Sequence, residues 1–183
     1  MKYLLKYKLF LESDLDIQDT DQPDVKASKQ QMELVTKQLA EFKTKKPQID
    51  TLYKTIKDPN QIEAGLTKIL GTDVKSRNPF LVDYVSISKM NNDVDKMQKE
   101  NTLDKVRLDD FQQDLKITTD PNLKQSLTAK IAEVTKRMND RVTNISKIQN
   151  DFNLADKAQK DKMLKIEKDI KDNITKISNV NQK

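Results

Sequence analysis

Two pairs of neighbouring carboxylates, Asp93/Asp95 and Asp109/Asp110, come closest in this chain to the residue types and spacing of acid–base chemistry. Such chemistry needs a carboxyl group whose pKa is moved by burial or by a charged neighbour. Both pairs lie off the apolar stripe of a predicted helix, and we interpret them as part of a solvated helical face. The sequence therefore predicts no catalytic residue, and we expect a protein that is not an enzyme.

Composition and spacing exclude several other kinds of site. The chain has no cysteine and no histidine, which excludes Cys nucleophiles, disulfides, Ser-His-Asp triads and Cys/His zinc sites. Two glycines, Gly65 and Gly71, are too few for a Walker loop or a Rossmann fingerprint. A calcium loop starting at Asp14 fails, because its sixth position is Asp19 instead of glycine and its twelfth is Val25 instead of glutamate. We predict no cofactor and no metal ion.

The balance of apolar and charged residues indicates the fold class. Apolar residues make up 35 % of the 183 positions and charged residues 34 %, against roughly 45–50 % and 25 % in ordinary globular domains. Long helices that each bury one stripe suit this composition. We predict an all-α fold, an elongated helical bundle or a coiled-coil hairpin of long helices with an N-terminal docking segment. Residues 1–24 form the docking segment and an acidic linker, and residues 25–183 the helical domain.

Apolar residues recur at spacings of three and four from Lys26 onward, which is the spacing of a coiled coil. Pro47 interrupts this first stripe and is predicted to kink or break the helix in the turn before it. A short helix over residues 59–70 follows, between the cap Asp58 and Gly71.

A predicted helical hairpin makes up the rest of the chain. Its first helix runs from Asn78-Pro79 to about residue 117, and its stripe places Asn101 and Asp104 at inward positions, where polar residues fix register or partner number. The chain reverses at Asp120-Pro121. Whether residues 121–180 form one helix or two stays open. The predicted apolar face of the return helix is Leu123, Leu127, Ile131, Val134, Met138, Val142, Ile145 and Phe152.

Basic residues are in excess in three segments. Residues 26–57 carry a charge of +5, whereas residues 124–148 and 157–183 carry +4 each and the intervening helix, residues 85–117, carries −1. An intramolecular bundle that pairs its faces would use this pattern. The alternative is sequence-independent contact with nucleic acid, for which the sequence offers dispersed lysines and no aromatic stacking platform.

The leader MKYLLKYKLFLES, residues 1–13, precedes the helical domain. As a helix, it presents Tyr3, Leu4, Tyr7, Phe10 and Leu11 on one apolar face, and these are our candidates for partner docking. As a strand, it alternates apolar and lysine positions, and the pattern does not decide between the two. The leader either docks onto another protein or folds back on its own bundle.

This leader resembles the N-terminal capsid-targeting peptides of internal head proteins in T-even-type tailed bacteriophages, which end in an aliphatic-x-Glu cleavage signal. The candidate signal is Phe10-Leu11-Glu12 before Ser13, and Phe10 departs from the usual Leu or Ile. The resemblance covers about a dozen residues. It implies a head-associated virion protein, with capsid or other virion proteins as partners.

Localisation and partners follow from the same observations. No run approaches the roughly 18 apolar residues of a membrane span, and Lys6 and Lys8 make the leader a poor secretory signal. We predict a protein of the virion or the host cytoplasm, with protein partners or a second copy of itself and no membrane contact. A cellular coiled-coil adaptor and a sequence-independent nucleic-acid binder are the alternatives.

Overall fold

The computed structural model describes residues 23–72 and 78–180, with side chains to residue 177. Within these ranges the chain forms four helices and no strand. The helices are α1 (Pro23–Thr55), α2 (Pro59–Leu70), α3 (Pro79–Ile117) and α4 (Pro121–Val180). The predicted all-α class is confirmed for this part of the chain, whereas the leader lies outside the described residues.

Each of these helices begins with a proline at its first position. The fixed φ of proline suits a helix start, and its missing N–H would have no helical partner there. In α2, α3 and α4 the preceding residue also caps the helix through its side-chain oxygen, which accepts a bond from a backbone N–H. The cap pairs are Asp58 with Asn60 at 2.9 Å, Asn78 with Phe80 at 2.9 Å and Asp120 with Asn122 at 2.8 Å. The predicted starts of these three helices are confirmed.

Two predictions about α1 are corrected. The helix begins at Pro23, so the last two residues of the predicted linker are helical. It also continues through Pro47 to Thr55, so the break that we gave as one of two outcomes does not occur, whereas the kink stays a prediction. Pro47 lies on the exposed side of the helix, where the carbonyl it leaves unpaired can reach water. Phe42 and Ile49 are buried on either side of it, and their packing holds the helix together.

The open question about α4 is settled, because Pro121–Val180 is a single helix of 60 residues. Close contacts divide the described chain into two compact units. The first holds the residues up to Tyr84 and from Lys157 onward, and the second is Val85–Asp156.

The first unit packs an aromatic cluster between α1 and the start of α3. The ring of Phe42 lies 6.0 Å from that of Phe80 and 5.6 Å, edge-on, from that of Tyr84. The short helix α2 approaches α1 closely at Gly65, where an added Cβ would overlap the buried Leu52 side chain. The spacing of the aromatic residues along the chain does not predict this cluster, which arises because α3 returns to α1.

The second unit pairs α3 with α4 in antiparallel orientation, as the predicted hairpin requires. Val94, Leu127, Val134 and Ile145 are buried in it. Two predicted core positions are wrong, since Val142 and Leu123 are exposed. Arg141 occupies the stripe position between Met138 and Ile145, which leaves Val142, 55 % exposed, beside the stripe.

Candidate functional site

A carboxylate lies in the core of the second unit. Asp104 is 1 % exposed and is one of the most buried side chains of the described chain. It sits on α3 at the inward position that the stripe predicts, so the prediction of its orientation is confirmed. A buried carboxylate is costly unless it is paired and hydrogen-bonded.

Three arginines surround this carboxylate. From α4, Arg137 donates through Nε to Oδ2 and through Nη2 to Oδ1, each at 2.8 Å, and Arg141 donates through Nη1 to Oδ2 at 2.5 Å. From α3 itself, Arg107 donates to Oδ1 at 3.1 Å. The chain has four arginines among 34 basic residues, so three of the four converge here. Arginine suits the place because its planar fork matches a carboxylate.

A second group of polar residues balances the arginines. The Arg141 Nε lies 3.1 Å from a Glu100 carboxylate oxygen, and its Nη1 lies 3.5 Å from the Asn101 side-chain oxygen. Glu133 lies 3.7 Å from Arg137. Three acidic side chains therefore face three arginines, and the cluster has no excess charge with which to attract an anion.

The electrostatics fix the protonation state of the cluster. Hydrogen bonds from Arg137 and then from Arg141 hold the pKa of Asp104 far below its usual range, although burial opposes them. The same hydrogen bond raises the pKa of Arg137. Because the carboxylate stays ionised and its oxygens are occupied by donors, Asp104 is unsuited to accept or donate a proton at neutral pH. Its hydrogen bonds join α3 to α4.

An apolar groove is the other candidate, and it lies in the first unit between the start of α1 and the end of α4. It has a volume of 420 Å³. Its floor adjoins a buried cluster of Met32, Ile170 and Ile174, against which Val35 and Ile166 pack half-buried. Polar side chains along its rim include Gln31, Asp169, Asn173 and Lys176.

Two groups of residues singled out from the sequence lie outside both the ionic cluster and the groove. Asp95, Asp109 and Asp110 are exposed and Asp93 is half-buried, in line with a solvated face. The docking candidates Tyr3, Leu4, Tyr7, Phe10 and Leu11 lie outside the described residues. The arginine partners of Asp104 were missed, because they were counted only as basic charge. The sequence did indicate that Arg141 faces inward, because Arg141 lies at the three- and four-residue spacing of the apolar stripe of α4.

No group of three or more acidic side chains in the described ranges is arranged to hold a metal ion. None of the helices described is both long and apolar enough to cross a membrane. No family model matches the chain, and no curated protein or solved structure matches it.

Proposed function

We propose that this protein is a non-enzymatic structural or interaction protein that docks onto its partner through its N-terminal segment. The observation that carries this proposal is the buried ionic cluster at Asp104. Burial and a displaced pKa are the marks of a reactive carboxylate, yet here the carboxylate is saturated by arginines from the two helices that it joins. The hydrogen-bonding capacity of this carboxylate is used to join two helices of the fold.

The resemblance of the leader to capsid-targeting peptides supports a proposal about which partners it binds. We propose a head-associated component of a bacteriophage particle, with capsid or core proteins as its partners. Tyr3, Leu4, Tyr7, Phe10 and Leu11 would supply the apolar contact. The helical units would then be the body that the leader attaches to the particle.

Ion pairs within the first unit favour this role over nucleic-acid binding. On α1, Lys43 pairs with Glu167 of α4 at 2.7 Å, and Lys46 lies 3.4 Å from Asp50 and 4.6 Å from the centre of the Tyr84 ring. Each of these lysines would have to leave its acidic partner before it could contact a phosphate backbone. The basic excess of α1 is therefore used in part inside the unit.

Fractionation of the native source tests the proposal. The protein should sediment with particles on a density gradient and stay with them after nuclease treatment and in 0.5 M salt. Recovery only in particle-free complexes would favour a cellular adaptor. Release by nuclease, or by salt in a steep dependence on its concentration, would favour a nucleic-acid binder.

A further inference from the structure

A second apolar stripe runs along α3, on the side turned away from α4. Leu103 and Val106 lie on it and are 61 % and 56 % exposed. Leu103 follows the buried Val94 by nine residues, which is about two and a half helical turns, so the two side chains are on opposite sides of the helix. Ile117, 79 % exposed, extends the stripe toward the end of α3. The hairpin therefore buries one face of α3 and leaves a second apolar stripe at the surface.

The exposed stripe of α3 has the spacing of a coiled-coil seam. Its positions alternate between steps of four and three residues, the register in which two helices pack side by side. We call this set of residues the outer seam. In chain order it consists of Asn92, Lys96, Lys99, Leu103, Val106, Asp110, Gln113 and Ile117. Every one of these residues except the half-buried Asn92 is exposed, so the outer seam is open to one more helix.

The charges of the outer seam indicate which helix fits it. Lysines occupy the two seam positions before Leu103, and Asp110 is the position after Val106. An antiparallel second copy of α3, with the twofold axis between Leu103 and Val106, would place every seam position opposite another seam position. Leu103 would then face Val106 of the other copy, and Lys99 would face Asp110 on both sides of this apolar centre. A parallel copy would place Lys99 against Lys99 and Asp110 against Asp110, and like charges in contact oppose association.

We propose that two copies of this chain form a homodimer in which their α3 helices pack antiparallel along the outer seam. Leu103 and Val106 of both copies make the apolar centre, and two pairs of Lys99 with Asp110 fix the register. The contact is isologous, so it closes at two copies. Four apolar side chains make a small interface, and the dimer is therefore weak and forms at high protein concentration. The inference needs no virion partner, so it holds or fails separately from the proposed function.

Charge reversal in the full chain tests this dimer, with sedimentation equilibrium over a roughly hundredfold range of concentration as the measurement. Lys99→Asp places two carboxylates in each pair, and Asp110→Lys places two ammonium groups there. Lys99→Asp/Asp110→Lys exchanges the charges and restores opposite signs. Lys105→Asp is the matched control, because it changes the net charge equally at an exposed position of α3 outside the outer seam. Leu103→Asp/Val106→Asp removes the apolar centre, and circular dichroism checks that each variant keeps its helices.

We expect the mass of the natural protein to rise from one chain toward two as its concentration rises. Each single reversal should raise the dissociation constant by about tenfold or more, since it brings like charges into contact. The double reversal should return it to within about threefold of the natural value, because the two changes are coupled. Leu103→Asp/Val106→Asp should stay a monomer. A natural protein that stays monomeric, single reversals that weaken the dimer no more than Lys105→Asp, or a double reversal as weak as the single ones would each overturn the proposal.

Discussion

Arg137 of α4 holds both carboxylate oxygens of Asp104 on α3, through two nitrogens that each lie 2.8 Å from an oxygen. A bidentate pair fixes direction as well as distance. The two residues are 33 positions apart in the chain, so their contact is possible in only one register of the hairpin. The buried pair therefore specifies how α3 and α4 align.

Asp104→Asn should lower the free energy of unfolding by about 3 kcal/mol at pH 7, since it leaves arginines beside a core position without their carboxylate. Urea denaturation followed by circular dichroism measures the change. Asp110→Asn is the matched control, because that residue is on the same helix and exposed, and its effect should stay within about 0.5 kcal/mol. Equal losses in the two variants would contradict the role given to the cluster.

The stability of the protein should depend on Asp104 in acid. The pKa of this carboxyl is lower in the folded chain than in the unfolded chain, where it is near 3.9. Its stabilising contribution is therefore complete above about pH 5 and is lost as the pH falls toward the folded value. Between pH 5 and pH 2 the free energy of unfolding should fall more steeply in the natural protein than in Asp104→Asn. Parallel pH profiles would show that other groups determine the acid sensitivity.

Replacing the buried ionic cluster by apolar residues tests separately whether the cluster stabilises the protein and whether it fixes the register of the hairpin. In Asp104→Leu/Arg137→Leu/Arg141→Leu, unfolding should require as much urea as in the natural protein or more, because apolar packing often replaces a buried ionic cluster without loss when all its buried members are replaced. The hairpin should lose its unique register, since polar core residues select register and partner number. Light scattering after gel filtration should then show mixed oligomers. A single species with the mass of the natural protein would argue against a register role.

Because α2 contacts α1 at Gly65 and Leu52, substitutions of these two residues should have non-additive effects on the stability of the protein. Alanine normally stabilises a helix relative to glycine by about 1 kcal/mol, but Gly65→Ala should destabilise this protein, because the new methyl group overlaps Leu52. In a Leu52→Ala background the overlap is gone, and the same substitution should be neutral or stabilising. Four thermal unfolding curves complete the double-mutant cycle. An additive cycle would mean that α2 does not pack closely at Gly65.

Local features of the fold were predictable from the sequence. The starts of α2, α3 and α4 follow from a cap and a proline, which act within a few residues. The inward position of Asp104 follows from the stripe of its own helix. Each of these inferences needs only the spacing of residues that are neighbours in the chain.

Features that depend on tertiary contacts were not predictable in the same way. Pro47 was expected to interrupt α1, but residues packed on either side of it keep the helix continuous. The two partners of Asp104 on α4 lie 33 and 37 positions away, and a stripe carries no information on which residue of the other helix faces it. The groove likewise requires the start of α1 to pair with the end of α4.

The most direct test of the proposed function compares the native protein with a variant that lacks residues 1–12. Intact mass spectrometry of the particle fraction reports both the processing of the leader and its need for association. We predict a native mass that begins at Ser13, or loss of the variant from the particles. A native chain that keeps Met1, together with a variant that associates as well as the natural protein, would contradict docking through the N-terminal segment.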